Sequence, residues 1–143
     1  MGQPGVVVGR VIDVRFHPRR DFIWLSTVET GPGEKSQIVW GGIPIVTAGC
    51  LVPVAQPGAW LPATERKPEP YKIRRRCYAG EVSEGMLCSL AELGWNPLVT
   101  DWVALLDTEA GLETGQSLAG RQDDWREIAL PVVGCLPLPQ ALY

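Results

Sequence analysis

The stretch Lys72-Ile73-Arg74-Arg75-Arg76 holds four cations in five residues. Just downstream, Gly80-Glu81-Val82-Ser83-Glu84-Gly85-Met86-Leu87-Cys88-Ser89 sets a serine between two glycines, with a methionine after them. In an extended chain, side chains alternate between faces, so Lys72, Arg74 and Arg76 share one face and Ile73, Arg75 and Cys77 the other. A row of cations suits phosphate, with Tyr71 or Tyr78 as a stacking surface for bases. The competing use of such a row is a solvated edge strand whose charges discourage pairing with another sheet. Arg19 and Arg20, in His17-Pro18-Arg19-Arg20-Asp21, offer two more cations; there the ordinary reading is a surface turn in which Asp21 pairs with an arginine. Ser83 is not a nucleophile elbow, because Glu81 stands where G-x-S-x-G requires glycine, and nothing nominates the sole histidine, His17, as its base. His17 reads instead as structural, bonding a backbone carbonyl. Cys50, Cys77, Cys88 and Cys135 form no C-x-x-C pair, so neither a metal site nor a cofactor is expected, and the thiols are expected to be reduced and mostly buried. With no acid/base constellation, the chain is not expected to be an enzyme.

These residues must be carried by strands. Val6 to Phe16 alternates as a strand and stops at His17-Pro18. Ile23 to Thr30 and Lys35 to Trp40 read as a hairpin joined through Gly31-Pro32-Gly33-Glu34. Leu51 to Ala55 is a short buried strand that Pro53 should confine to an edge or a bulge. The prolines between Gln56 and Pro70 describe a long, stiff loop, and Tyr71 to Tyr78 reads as the next strand. Ser89 to Leu93 has the Ser-x-x-Glu start of a short helix that Gly94 ends. Asp101 to Asp107 reads as one apolar element and Arg126 to Val133 as a strand. Short strands with Gly/Pro turns and little helix predict an all-β fold, a five-stranded OB-fold Greek-key barrel with a short helix and an additional C-terminal extension. Composition alone leaves an SH3-like barrel open. On this division, 1–98 is the barrel, and 99–143 is an acidic, apolar extension that covers either the barrel or a second subunit.

Several motifs, spaced in order over residues 6–95, carry a family resemblance. They are Val8-Gly9-Arg10-Val11, His17-Pro18 with Asp21 and Trp24, Gln37-Ile38-Val39-Trp40-Gly41, the run from Val52 to Ala59, Lys72-Ile73, and Gly80 to Ser89 followed by Ala91-Glu92-Leu93-Gly94. The chain resembles the tRNA-binding OB domain found in the bacterial phenylalanyl-tRNA synthetase beta chain and in free-standing tRNA-binding proteins. The resemblance implies a non-catalytic module that binds tRNA or another structured RNA. It places Ser83, Gly85 and Met86 at an RNA-facing corner, whereas the residues alone allow that Ser83 caps the turn, Gly80 and Gly85 shape it and Met86 plugs the barrel end. Relative to the family's usual pattern, Arg19-Arg20 replaces Asn-Ala, Ala79 replaces an arginine, Glu81-Val82 replaces Val-Glu, and Trp40 replaces a frequent cysteine. The synthetase's catalytic machinery lies outside this domain.

The expected RNA-binding set is therefore Arg19, Arg20, Lys72, Arg74, Arg75, Arg76, Ser83, Gly85 and Met86. The expected stacking residues are Trp40, Tyr71 and Tyr78. Trp24 and Trp60 also suit stacking, although tryptophan more often serves a core or an interface. Trp95, Trp102 and Trp125 are expected to anchor the extension. The net charge of −3 is unevenly spread, at +2 over residues 1–100 and −5 over 101–143. This excludes a generally basic nucleic-acid coat and leaves one local patch. It also motivates the alternative, an assembly, scaffold or dimerisation module that keeps the OB-fold with weak or no RNA binding. Expected partners are RNA, a second copy in a homodimer, and a synthetase or other protein. No membrane span, signal peptide or myristoylation signal is expected, and the location is expected to be cytoplasmic.

Overall fold

The computed structural model describes residues 5–42, 45–100 and 102–131. Three strands, β1 (Val6–Phe16), β2 (Ile23–Gly31) and β3 (Glu34–Gly41), form an antiparallel meander. The β2–β3 hairpin turns on Pro32-Gly33, with Gly33 at φ 75°, the positive φ that the position after proline takes in a type II turn. Strand β4 (Leu51–Ala55) returns beside β1, and β9 (Met86–Leu87) lies on its far side, so the sheet order is β3-β2-β1-β4-β9. A meander whose fourth strand returns beside the first is a Greek key. The sheet nearly closes at Gln37, whose carbonyl accepts the Glu84 N–H at 2.8 Å, while its side-chain amide donates to Val82 O at 2.9 Å. The result is a nearly all-β, five-stranded, nearly closed OB-fold-like barrel.

Strand β4 is an interior strand despite Pro53. The N–H and C=O of Val8, opposite Pro53, bond to Gln116 and Gly115 on the other side of β1. Pro53 therefore stands at a position where no N–H is owed to β1, and its carbonyl still accepts from Cys88 N–H at 3.0 Å. On the other side, where Pro53 stands opposite Cys88, the donor that proline lacks is replaced by Ala104 N–H, which bonds the Cys88 carbonyl at 2.9 Å.

Two apolar clusters sit on either side of the sheet. Val11, Val28, Ile38, Trp40, Val52, Val54 and Leu87 fill the barrel. Val8, Leu51 and Ala55 instead meet Leu61, Ile73, Leu90, Trp95, Leu106, Leu118, Trp125 and Ile128. Described residues beyond 98 meet the barrel itself. Leu118 N–H bonds Val6 O at 2.9 Å, Leu106 N–H bonds Leu51 O at 2.8 Å, and Ala104 N–H bonds Cys88 O at 2.9 Å. Trp95 and Trp125 stack with centroids 6.3 Å apart in the same cluster.

Several local expectations differ. Tyr71 to Tyr78 is not one strand. It is β6 (Tyr71–Lys72), paired with β5 (Trp60–Leu61), and then β7 (Arg76–Tyr78), paired with β8 (Glu81–Ser83). Buried Ile73 pins the break: its N–H bonds Ala59 O and its carbonyl accepts from Gly58 N–H, both at 2.8 Å. Ser89 to Leu93 forms turns rather than a helix, but the expected capping box is present. Ser89 N–H donates to Glu92 Oε1 at 2.8 Å and Glu92 N–H donates to Ser89 Oγ at 3.1 Å. The bonds Trp95 N–H to Leu90 O and Gly94 N–H to Ala91 O close the segment as a Schellman motif around Gly94, so start and stop signals meet with no helix between them. Asp101 to Asp107 supplies a single bridging residue, Leu106, and residue 101 is outside the described set. Within Arg126 to Val133, the chain first completes one helical turn, α1 (Trp125–Ile128), before Ala129 bridges Leu106; the rest of that segment, with Gly134 to Tyr143 and Cys135, lies outside the described residues. Among the described residues, no helix is long and apolar enough to cross a membrane.

Candidate nucleic-acid interface

The corner from Tyr78 to Met86 is built from a two-residue hairpin and a buried serine. Tyr78 pairs with Glu81, leaving Ala79-Gly80 as the loop, at φ 48° and 90°. Two successive positive φ values mark a type I′ turn, which matches the twist of the flanking strands. Glycine meets this requirement freely, but an alanine there carries steric strain. The turn is held from outside by the 17–21 loop. His17 donates through Nε2–H to Tyr78 O at 2.8 Å and accepts the Arg19 N–H at Nδ1 at 3.0 Å, which defines its neutral tautomer. Arg19 Nε–H donates to Ala79 O at 2.9 Å, and its guanidinium stands 3.5 Å from Glu81 Oε2.

The cations therefore differ in availability. Lys72, Arg74 and Arg76 are exposed, and their side chains make no hydrogen bond or ion pair with described residues. Arg75 is held by Glu84, Nε to Oε1 at 2.6 Å. Arg19 is held by Ala79 and Glu81, while Arg20 donates to Arg19 O at 3.1 Å. With the strand broken after Lys72, the even residues no longer form one ruled face, and Arg75 is as exposed as its neighbours.

The corner's other expected contacts turn inward. Ser83 is 1% exposed, accepts the Val39 N–H at 2.9 Å and donates to Gly85 O at 2.9 Å. Between capping the turn and facing a ligand, its geometry is that of a cap which also ties the corner to β3. Gly85 is buried at φ 136°, and a Cβ there would lie 2.6 Å from Ala55 O, so its hydrogen is needed for β4 and β9 to approach. Met86 is half-buried, pairs with Ala55 and packs on the outer cluster.

Among the expected stacking residues, Trp40 is buried and donates Nε1–H to Ser26 Oγ at 2.8 Å. Tyr71 is half-buried beneath the Lys67 ammonium, 4.4 Å from its ring centroid. Burial, then the Glu92 carboxylate it hydrogen-bonds, pushes its hydroxyl well above the usual phenol range. Tyr78 is exposed. Sequence reasoning missed Phe16 and Phe22, which are 76% and 80% exposed on either side of the 17–21 loop. Their signal was available: two phenylalanines bracketing a polar, proline-containing turn are poorly placed for a core. Trp60, 65% exposed and paired with Lys72, is the tryptophan best presented to solvent beside a cation.

No cluster of three or more His, Cys, Asp or Glu side chains able to hold a metal occurs among the described residues. Among the described residues, the thiols range from exposed Cys77 through half-buried Cys50 to buried Cys88, so burial is less general there than expected. Burial pushes the Cys88 thiol well above its ordinary value.

The structure is thus an OB-fold-like barrel with a cation-bearing hairpin corner. The chain belongs to the tRNA-binding domain family, whose model, described as "Putative tRNA binding domain", matches residues 6–117. It is 47% identical over 93 residues to the phenylalanine–tRNA ligase beta subunit of Halalkalibacterium halodurans, covering 65% of this chain and 11% of that one. The corresponding subunit of Chlorobaculum tepidum is 41% identical over 114 residues, covering 80% and 13%. That of Symbiobacterium thermophilum is 42% identical over 118 residues, covering 82% and 12%. The chain thus spans only a small fraction of the length of these curated relatives. Among solved structures, the C-terminal domain of Plasmodium vivax p43 matches with a TM-score of 0.51 at 16% identity, covering 94% of this chain and 66% of that one; that likeness concerns the fold.

Proposed function

We propose that this chain binds tRNA or a similarly structured RNA through phosphate contacts from Lys72, Arg74 and Arg76, with Arg19, Arg20 and Arg75 joining once their present partners yield. The observation that carries the reading is the coincidence of the family match over residues 6–117 with three exposed cations in one short segment that have no hydrogen-bond or ion-pair partner among the described residues. Three such contacts give a salt slope of about −2, at roughly −0.7 per phosphate on single-stranded RNA. Filter binding to bulk tRNA at several salt concentrations tests this. The Lys72/Arg74/Arg76→Ala variant is expected to bind more weakly and to flatten the slope. Undetectable binding by the wild type at micromolar protein, or an unchanged slope in the variant, refutes the reading.

A second reading rests on the ion pairs Arg19–Glu81 and Arg75–Glu84, which neutralise cations at the corner itself. On that reading the barrel serves assembly, as a homodimer or against a synthetase-like protein, and RNA affinity is weak. Light scattering distinguishes the homodimer by mass against the 15.6 kDa protomer.

A further inference from the structure

The structure assigns a second contact of a different chemical kind: Phe16 and Phe22 form a stacking platform for unpaired nucleobases of the bound RNA. This rests on the RNA-binding reading above. Phe16, Trp24 and Trp40 stand in one cross-strand line, because Phe16 is opposite Trp24 on β1–β2 and Trp24 is opposite Trp40 on β2–β3. Their rings follow at centroid distances of 4.8 and 5.8 Å. The ladder starts in the core at Trp40, is fixed midway by the Trp24 Nε1–H bond to Gly42 O at 3.0 Å, and ends in solvent at Phe16. A ring whose inner neighbours are anchored is a preorganised surface that loses little entropy when a base lies on it.

Phe22 supplies the other side. It sits at φ 60°, which a bulky side chain adopts only at a cost, and its carbonyl accepts the Gly42 N–H at 3.3 Å. The backbone is thus held where the ring is exposed. Between the two phenylalanines lie Arg19 and Arg20, both exposed, and His17 and Arg19 bind this loop to the Tyr78-Ala79-Gly80 turn. Two exposed aromatic rings flanking a loop that carries two arginines match a nucleotide, which offers a π-face and a phosphate together. Protein interfaces also favour aromatics and arginine, so the choice of RNA over a protein partner rests on the tRNA-binding family match over residues 6–117.

The test uses the full chain, bulk tRNA, and an RNA hairpin whose loop carries one 2-aminopurine. Wild-type protein is expected to change the 2-aminopurine emission on binding. The Phe16→Ala/Phe22→Ala variant is expected to lose that change and to bind roughly fivefold or more weakly with an unaltered salt slope, since stacking and not phosphate contact is removed. Phe16→Tyr/Phe22→Tyr is expected to restore both signals. If wild type binds RNA and the alanine variant matches it in affinity and emission, the platform is refuted while the phosphate reading stands. If wild type binds no RNA, both fall. A concentration-dependent dimer abolished by the alanine variant would assign these rings to a second copy of the chain and also overturn the proposal.

Discussion

Replacing Glu84 with glutamine should increase RNA affinity. The Arg75 Nε lies 2.6 Å from Glu84 Oε1, and the two side chains are 64% and 39% exposed. For Arg75 to reach a phosphate it must leave this partner, and the carboxylate then remains beside the incoming anion. An exposed pair of this kind is worth about 0.2–1 kcal/mol, so glutamine should return roughly 1.4- to 5-fold in affinity. Freeing one cation should also steepen the salt slope by about 0.7 on single-stranded RNA. The assay is filter binding of bulk tRNA between about 50 and 200 mM salt, comparing wild type, Glu84→Gln, Arg75→Ala and the double variant. Glu84→Gln is expected to gain affinity and slope in the wild-type background, and to lose the slope gain when Arg75 is alanine. The reasoning is refuted if Glu84→Gln binds as wild type does. It is refuted equally if the slope gain survives without Arg75, since the effect would then be general charge and not the pair.

Two further variants probe how the corner is built. Ser83→Ala leaves the buried Val39 N–H without its acceptor. It should cost about 1–3 kcal/mol in urea unfolding with no change in salt slope; a stable variant with a flattened slope would return Ser83 to the interface. Ala79→Asn places a residue that tolerates positive φ at the strained turn position. It should stabilise by about 0.5–1 kcal/mol, read as a higher urea midpoint at constant m; a lower midpoint would refute the strain argument.

The barrel was legible because its signals are local. Alternation over Val6 to Phe16, the Gly-Pro-Gly-Glu hairpin and the apolar run at Leu51 each act within a few residues, and the structure places strands there. Local signals also carried the Ser89–Glu92 capping box and the αL stop at Gly94. They could not show that the same segment is too short to hold a helix, because the length between caps is set by where Leu90, Leu93 and Trp95 must land in the outer cluster.

What the sequence by itself determined is the family, the strand set and the presence of cations near residues 72–76. What only the tertiary structure decided is which of those groups face solvent and which are already engaged. Pro53 looked like the mark of an edge or a bulge until the long-range bonds of Val8 and Ala104 showed that β1 needs no donor from it and that Cys88 O takes one from Ala104. Ser83 could cap the turn or face RNA until β3 supplied it a buried N–H, and Arg75 looked free until Glu84 folded back on it. Phe16 and Phe22 gained their meaning only when the register of β1, β2 and β3 lined up an aromatic ladder leading out of the core. Hydrogen-bond partners and exposure depend on residues distant in sequence, and no periodicity within one strand encodes them.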